Sequence, residues 1–276
     1  MVGVIAFSIF MLAFSAVTFM WMNGKLPEFA RTQRDVPNLK GRVVTLSLRG
    51  RSTTFRLNSD LWVRLAFIAL GPSAILGLSV AYAEILPLRV MFALFVFPAY
   101  IGMVVLGLLY PKWGWRALIG FCAGVIATLL YDIVRLFLVV ALDLPDPIPH
   151  IGDLWLGADT VSHGGLWWVG YLWRFFGNGA GMGIVYAMLS PKVFNLKGGW
   201  IYGDLVGLGM FALLFFFPAS QIHLFPLNLT VLVNGILGHW AYGLALGWLF
   251  GWTRLKYRFE EPSLSSDKPL SWVNTR

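Results

Sequence analysis

The sequence predicts an all-α integral membrane protein, a bundle of about seven transmembrane helices. Three observations support this fold class. Hydrophobic residues make up 58% of the 276 residues and charged residues only 12%, about half the charged fraction that is usual in a soluble domain. The mean hydropathy is +0.73. The chain also contains several apolar runs of the length that spans a bilayer, about 20 residues.

Seven segments are long and apolar enough to span a membrane as helices. They are residues 2–22, 62–84, 88–110, 117–142, 164–189, 200–219 and 229–252. The first has neither a charged n-region nor an A-x-A cleavage site, so we expect a retained helix and not a signal peptide. The predicted organisation is a first transmembrane helix (1–22), a basic loop (23–60), a six-helix bundle (61–252) and a polar tail (253–276).

Basic residues are concentrated in alternate connections, which predicts the orientation of the chain. They are Lys25, Arg31, Arg34, Lys40, Arg42, Arg49, Arg51, Arg56, Lys112, Arg116, Lys192, Lys197, Arg254, Lys256 and Arg258. The opposite loop 143–163 has four Asp and no Lys or Arg, and Arg89 is the one exception to the pattern. We therefore expect the amino terminus outside and the carboxyl terminus in the cytoplasm, in the inner (plasma) membrane. This topology accounts for the net charge of +8 without a nucleic-acid partner.

The basic segment 38–57, NLKGRVVTLSLRGRSTTFRL, differs from the rest of the chain. VVTLSL and TTFRL alternate as strands do, and the RGRS between them suits a turn. The sequence therefore predicts a small β-hairpin on the cytoplasmic side. The polar tail is expected to be disordered.

Glycines at four-residue spacing indicate close helix packing. The pattern N-G-x-x-x-G-x-x-Y at 178–186 is similar to Y-G-x-x-x-G-x-x-F at 242–250. Internal repeats of this kind occur in transporters, although tight packing alone would also select them. The last predicted span, 229–252, contains no lysine for a Schiff base, which excludes a retinal protein.

Two segments, HWAYGLALGWLFG at 239–251 and ATLLYDIVRL at 127–136, carry a family resemblance. They resemble uncharacterised small polytopic membrane proteins of bacteria and archaea, which have an H-x-x-Y-G-x-x-x-G helix near the carboxyl terminus. The resemblance covers two of the seven spans and implies the multi-pass topology, with no activity attached.

Several polar residues fall within the predicted spans. The set is Asp132, Arg135, Arg174 and His239, with Asn178 and Tyr242 among the neighbouring hydrogen-bonding residues. A charge at mid-membrane costs about 3 kcal/mol or more, so it usually has a partner. Asp132 and Arg135 can pair on one helix face, at i and i+3. Arg174 is then expected to lack an acid within the membrane. It would bind an anionic or carbonyl group, or alternatively hydrogen-bond helix carbonyls or pair with another subunit.

The histidines suggest a further possibility, that the protein binds a cofactor. A b-type haem usually takes two imidazoles from different helices, and His163, His223 and His239 are the candidate ligands, with Arg174 for a propionate or a quinone carbonyl. The alternative is that these histidines lie at the membrane interface, have their hydrogen bonds satisfied there and bind no cofactor. A divalent metal site in the outer loop is a weaker hypothesis, with the candidate ligands Asp143, Asp146, His150, Asp153, Asp159 and His163.

No soluble catalytic motif is present: the sequence lacks G-x-S-x-G, a P-loop and H-E-x-x-H. Three functions remain open, and the sequence favours the first of them. The protein would be an accessory or anchor subunit of a larger membrane complex, handling electrons with a haem or quinone and contacting other membrane subunits. Alternatively, it would be a small-molecule or ion transporter or channel with a polar site between spans four, five and seven. The third alternative is an enzyme that acts on lipid at the outer face through the loop 143–163.

Overall fold

The computed structural model describes residues 13, 16–18, 20, 42–48, 51–57, 59–144, 146, 148–156, 166–217, 221 and 228–252. Apart from one two-stranded sheet, the regular structure in this part of the chain is helical. This agrees with the all-α class that the composition predicts.

Eight helices of the described residues build the fold. They are α1 Ser59–Leu70, α2 Ser73–Tyr82, α3 Leu88–Leu109, α4 Pro111–Ala141, α5 His150–Leu156, α6 over residues 167–188, α7 Leu196–Phe216 and α8 Leu229–Trp252. Two of them contain π-helical turns. The turn in α3 is Phe92–Val96, and α6 consists of Trp167–Leu172, a π-helical segment Trp173–Gly179 and Ala180–Met188.

Five helices in the described ranges are long and apolar enough to cross a membrane. They are Asp60–Tyr82, which joins α1 and α2, and then α3, α4, α7 and α8. The prediction of seven spans is therefore met in part. The first predicted span falls mostly outside the described residues, among which 13, 16–18 and 20 are helical. The predicted fifth span is the helix α6, which is not among the five because Arg174, Asn178 and its glycines make it less apolar.

The hairpin segment forms two antiparallel strands, β1 Arg42–Leu48 and β2 Arg51–Leu57. In their register Arg42 pairs with Leu57, and Leu48 pairs with Arg51. The strands occupy the segment in which alternating residues predict a hairpin.

The second predicted span is interrupted at Gly71 and Pro72, between α1 and α2. Proline lacks an amide hydrogen and cannot continue the ladder of helical hydrogen bonds. Gly71 faces α6, where a Cβ would come within 2.9 Å of the carbonyl oxygen of Gly181. The break therefore lies at a place where the backbone of this span closely approaches that of α6.

Glycines bring the helices together in two matching pairs. Between α4 and α6, a Cβ on Gly120 or Gly124 would clash with the backbone of Gly183 or Gly179. Backbone contact without side chains in between is the usual basis of close packing in membranes.

The second pair repeats this arrangement between α7 and α8. A Cβ on Gly199 would meet the backbone of Gly243 and Gly247, and one on Gly203 would meet His239 and Gly243. The helices α4 and α8 also pack against each other, so the four lie in the order α6, α4, α8, α7. Two glycine-packed hairpins therefore stand side by side.

Two arginines close the carboxyl-terminal end of α6. Arg116 of α4 is 2% exposed and donates to the carbonyls of Ala187 and Leu189. Arg64 of α1 donates to the carbonyl of Met188 from Nε at 3.1 Å and from Nη2 at 2.9 Å. The last carbonyls of a helix have no intrahelical partners and carry partial negative charge, so cations at this end stabilise it.

The glycine contacts lead to a first prediction. Gly124→Ala should lower the stability of the bundle, by about 1–3 kcal/mol, because the new methyl group would overlap the backbone of Gly179. The measurement is the thermal unfolding midpoint of the purified protein in detergent.

Gly102→Ala is the matched control, since its Cβ would make only an ordinary contact, 3.5 Å from Leu70. Its midpoint should equal that of the wild type or lie slightly above it. Equal stability of the two variants would contradict the close packing of α4 on α6.

Candidate functional site

The carboxylate of Asp132 joins two arginines from different helices. Oδ1 of Asp132 accepts a hydrogen bond from Nε of Arg135 at 3.0 Å and another from Nε of Arg174 at 2.7 Å. The side chains of Asp132 and Arg135 are 3% and 5% exposed, and a buried charge is stable only when it is paired. The pair expected within α4 is thus present, and it extends to α6.

A second acid completes the cluster from the loop that follows α4. Nη1 of Arg135 donates to Oδ1 of Asp146 at 2.6 Å. The cluster therefore contains two arginines and two carboxylates. The expectation that Arg174 lacks an acid within the membrane is wrong, because Asp132 serves both arginines and Asp146 supplies the second negative charge.

Asp146 also ties the outer loop to the bundle. Its Oδ1 accepts from the backbone amide of Ile148 at 3.1 Å, and its Oδ2 accepts from the hydroxyl of Tyr171 at 2.9 Å. Burial favours the protonated carboxyl, but Arg135 and these hydrogen bonds outweigh burial. The pKa of Asp146 therefore lies below its ordinary value.

Tyr131 connects the arginine to the last helix. The guanidinium carbon of Arg174 lies 4.3 Å from the centre of the Tyr131 ring, within the range of a cation–π interaction. The other contact of this ring is an edge-to-face one with His239, with centroids 5.1 Å apart. Gly238 leaves room for the ring, since a Cβ there would lie 2.7 Å from it.

The π-helical segment of α6 presents backbone carbonyls to neighbouring tyrosines. Tyr100 of α3 donates to the carbonyls of Phe176 at 2.6 Å and Gly177 at 3.1 Å. Tyr242 of α8 donates to the carbonyl of Gly179 at 2.7 Å. Widened turns of this type are frequent at functional sites, and here the partners hold the segment from both sides.

A cavity of about 460 Å³ lies between α2, α4, α6, α7 and α8. Its polar lining includes Arg135, Arg174, Asn178, His239 and Tyr242, and most of the rest is apolar. Asp132 and Asp146 do not belong to the lining. The two arginines of the cluster thus contribute to the cavity wall, and the two aspartates do not.

Several polar atoms of this region have no partner among the described residues. They are Oδ2 of Asp132, Nη2 of Arg135 and Oδ1 of Asn178. Buried polar atoms are normally hydrogen-bonded, and two of these three belong to residues that line the cavity, Arg135 and Asn178.

The predicted cofactor residues divide into two groups. His163 and His223 lie outside the described residues. His239 lines the cavity, and its Nδ1 lies 2.7 Å from the carbonyl oxygen of Gly235. Since a carbonyl only accepts, Nδ1 carries the hydrogen, and the neutral ring has its lone pair on Nε2. The described residues thus bring one histidine to the cavity, whereas a b-type haem usually takes two.

The candidate metal ligands in the outer loop have other partners. Asp146 is engaged by Arg135 and Tyr171, and Asp153 contacts His150 at 3.3 Å. Within the described ranges no three potential ligands come together. Asp159 and His163 lie outside these ranges.

Sequence reasoning overlooked the role of Asp146, which it considered only as a metal ligand. The signal that could have found it is charge balance, because two arginines in adjacent spans require a second acid. The π-helical segment has no comparable signal in the sequence.

The shared carboxylate leads to a second prediction. Asp132→Asn should lower the free energy of unfolding by about 3–5 kcal/mol, because two buried arginines then share only one acid. Adding Arg174→Gln should restore part of the loss. Chemical unfolding in detergent measures both effects, and the pair should show a coupling of about 0.5–3 kcal/mol.

Asp204→Asn is the matched control. Oδ1 of Asp204 accepts a hydrogen bond from the neutral indole N–H of Trp240, and the side-chain oxygen of asparagine can accept the same hydrogen bond. This substitution should change the free energy of unfolding only slightly. Additive effects of the two substitutions at the cluster would argue against a shared carboxylate.

The lowered pKa of Asp146 leads to a third prediction. A carboxyl group with a depressed pKa in the folded state stabilises the fold above its ordinary pKa of about 3.9 and loses this contribution as the pH falls. Asp146→Asn should therefore lower the unfolding midpoint at pH 7 and reduce its fall towards pH 3. Asp153→Asn, in the same region, should retain the dependence of the wild type. If the unfolding midpoint of Asp146→Asn depended on pH as that of the wild type does, the anchoring of the outer loop by Asp146 would be excluded.

No family model matches the chain, and neither a curated protein nor a solved structure matches it. The resemblance of 239–251 and 127–136 to small polytopic membrane proteins therefore stays a prediction.

Proposed function

We propose that the protein is a multi-pass transporter of the inner (plasma) membrane, which carries a small molecule through the cavity between α4, α6 and α8. The cavity and its lining carry this proposal. Its volume of about 460 Å³ falls in the range of about 300–1,000 Å³ that is usual for small-molecule sites. Ionisable residues within membrane spans commonly mark substrate pathways. With the amino terminus outside and the carboxyl terminus in the cytoplasm, the cavity lies towards the outer half of the bilayer.

The paired hairpins support a transporter. The α4–α6 and α7–α8 hairpins share one glycine arrangement, and the cavity has residues of both in its wall. Transporter sites usually lie between structural repeats, and alternating access then involves movement of one repeat against the other. The similarity of 178–186 to 242–250 is the sequence counterpart of this arrangement.

The irregular segment of α6 supports the same function. Non-helical or distorted backbone at membrane depth is tolerated where it is buried in protein or lines a cavity. The segment Trp173–Gly179 does both, since its carbonyls bind Tyr100 and Tyr242 and its residues Arg174, Asn178 and Gly179 line the cavity.

An anchor subunit of a redox complex, associated with a quinone or haem, is the second candidate. The sequence supports it with glycine-rich packing surfaces, many aromatic residues and an arginine without an acid, and the pairing of Arg174 with Asp132 removes the last of these arguments. One observation still favours the anchor subunit. The cavity is mostly apolar and has N–H donors from Arg174, which would also suit the carbonyl of a quinone. Other membrane subunits would be its partners.

A reporter cysteine tests the transporter proposal without knowledge of the substrate. Ser79 lines the cavity, and Ser79→Cys in a Cys122→Ala background is a small change. A transporter should expose this cysteine to the impermeant reagent sulfonatoethyl methanethiosulfonate from both faces, first in whole cells and then in inverted vesicles. Labelling from one face only would reject alternating access.

Arg174→Ala separates the two candidates. In a transporter this variant should remain folded and monodisperse but no longer take up solute. In an anchor subunit it should release partner subunits or cofactor, which a native gel and a visible absorption spectrum of the gently purified protein would detect.

A further inference from the structure

The terminal nitrogens of Arg174 are available to a ligand. Its Nε is committed to Asp132, whereas Nη1 and Nη2 donate to no acceptor in the described part of the chain. The side chain is 13% exposed and lines the cavity. A guanidinium with two unoccupied terminal amino groups suits bidentate binding of a carboxylate or phosphate.

Of the four charged residues of the cluster, the two arginines line the cavity and the two aspartates do not. The Nη2 of Arg135 has no partner among the described residues but is buried, so the donors that a ligand can reach are the terminal nitrogens of Arg174. In this low-dielectric environment an anion is attracted more strongly than it would be in water.

Among the described residues, the cavity opens sideways, between α2 and α7. Leu76 of α2 and Leu205 of α7 both line it, yet they are 47% and 63% exposed on the outer surface of the helices. Gly209 stands beside them with nothing within 4 Å of the place of a Cβ. In a bilayer this mouth would face the hydrocarbon chains of the lipids and not water.

We propose that the ligand is an anionic amphipath that enters from the bilayer between α2 and α7 and places one carboxylate or phosphate monoester on Arg174. Its apolar tail lies along Leu76, Leu205 and Leu213. This substrate class rests on the transport function proposed above. A fatty acid and an isoprenoid phosphate are examples of the chemistry, which combines one acidic head group with one apolar chain.

Binding of cis-parinaric acid, a fluorescent fatty acid, tests the class. The protein is placed in nanodiscs of phosphatidylcholine, and energy transfer from its tryptophans reports the bound probe. Dodecanoate should displace the probe at a mole fraction about tenfold lower than dodecan-1-ol, its neutral counterpart, because the alcohol lacks the charge-assisted hydrogen bonds to Arg174. Equal displacement by the two would overturn the proposal.

Two variants locate the head group and the entrance. Arg174→Gln should weaken binding of the probe about tenfold and abolish the preference for dodecanoate. Gly209→Trp, at a position where a Cβ meets no described atom within 4 Å, should block the mouth and slow binding. Its matched control, Leu208→Trp, changes a neighbouring exposed residue that does not line the cavity and should bind as the wild type does.

Benzoate distinguishes a membrane lipid from a water-soluble acid. If benzoate displaces the probe as well as dodecanoate does, and Gly209→Trp binds normally, entry from the bilayer is excluded and the proposal is overturned. Wild-type affinity in a folded Arg174→Gln variant would overturn it too.

Failure of this inference is distinguishable from failure of the transport function. Labelling of Ser79→Cys from both faces without any preference for dodecanoate would reject the substrate class alone. Selective binding of dodecanoate with labelling from one face would leave a binding protein for anionic amphipaths that does not transport.

Discussion

The shared carboxylate of Asp132 is the interaction on which the rest of the site depends. Charge in a membrane interior must be neutralised within the protein, and one oxygen of Asp132 satisfies arginines from two helices. Because this oxygen occupies only Nε of Arg174, the outer part of the guanidinium is held in place and still faces the cavity. A bidentate pair would have held the arginine equally well but left it with little capacity for a ligand.

Helix positions were largely predictable from the sequence. The expected spans 88–110 and 229–252 agree with α3 and α8 to within a residue. Length and apolar composition decide such elements locally, and the basic connections indicate their orientation. The interruption at Pro72 was also readable in principle, although the apolar run continues through it.

The chemistry of the site was predictable only in part. The i, i+3 spacing of Asp132 and Arg135 allowed their pairing to be anticipated. The contact of Arg174 with Asp132 could not be derived in this way, because it depends on the rotation and relative depth of α4 and α6. The role of Asp146 depends on a loop folding back over the bundle, and the π-helical turn has no periodicity that would distinguish it from the surrounding helix.

Tyr131 is one of the side chains through which the two hairpins meet at the site. It belongs to α4, carries the guanidinium of Arg174 on its face, and meets His239 and Gly238 of α8. A shift of the α7–α8 hairpin would therefore push this ring, and the ring would tilt the guanidinium that rests on it. These contacts join the position of α8 to the orientation of the Arg174 guanidinium, the group that would hold the anion in the complex proposed above.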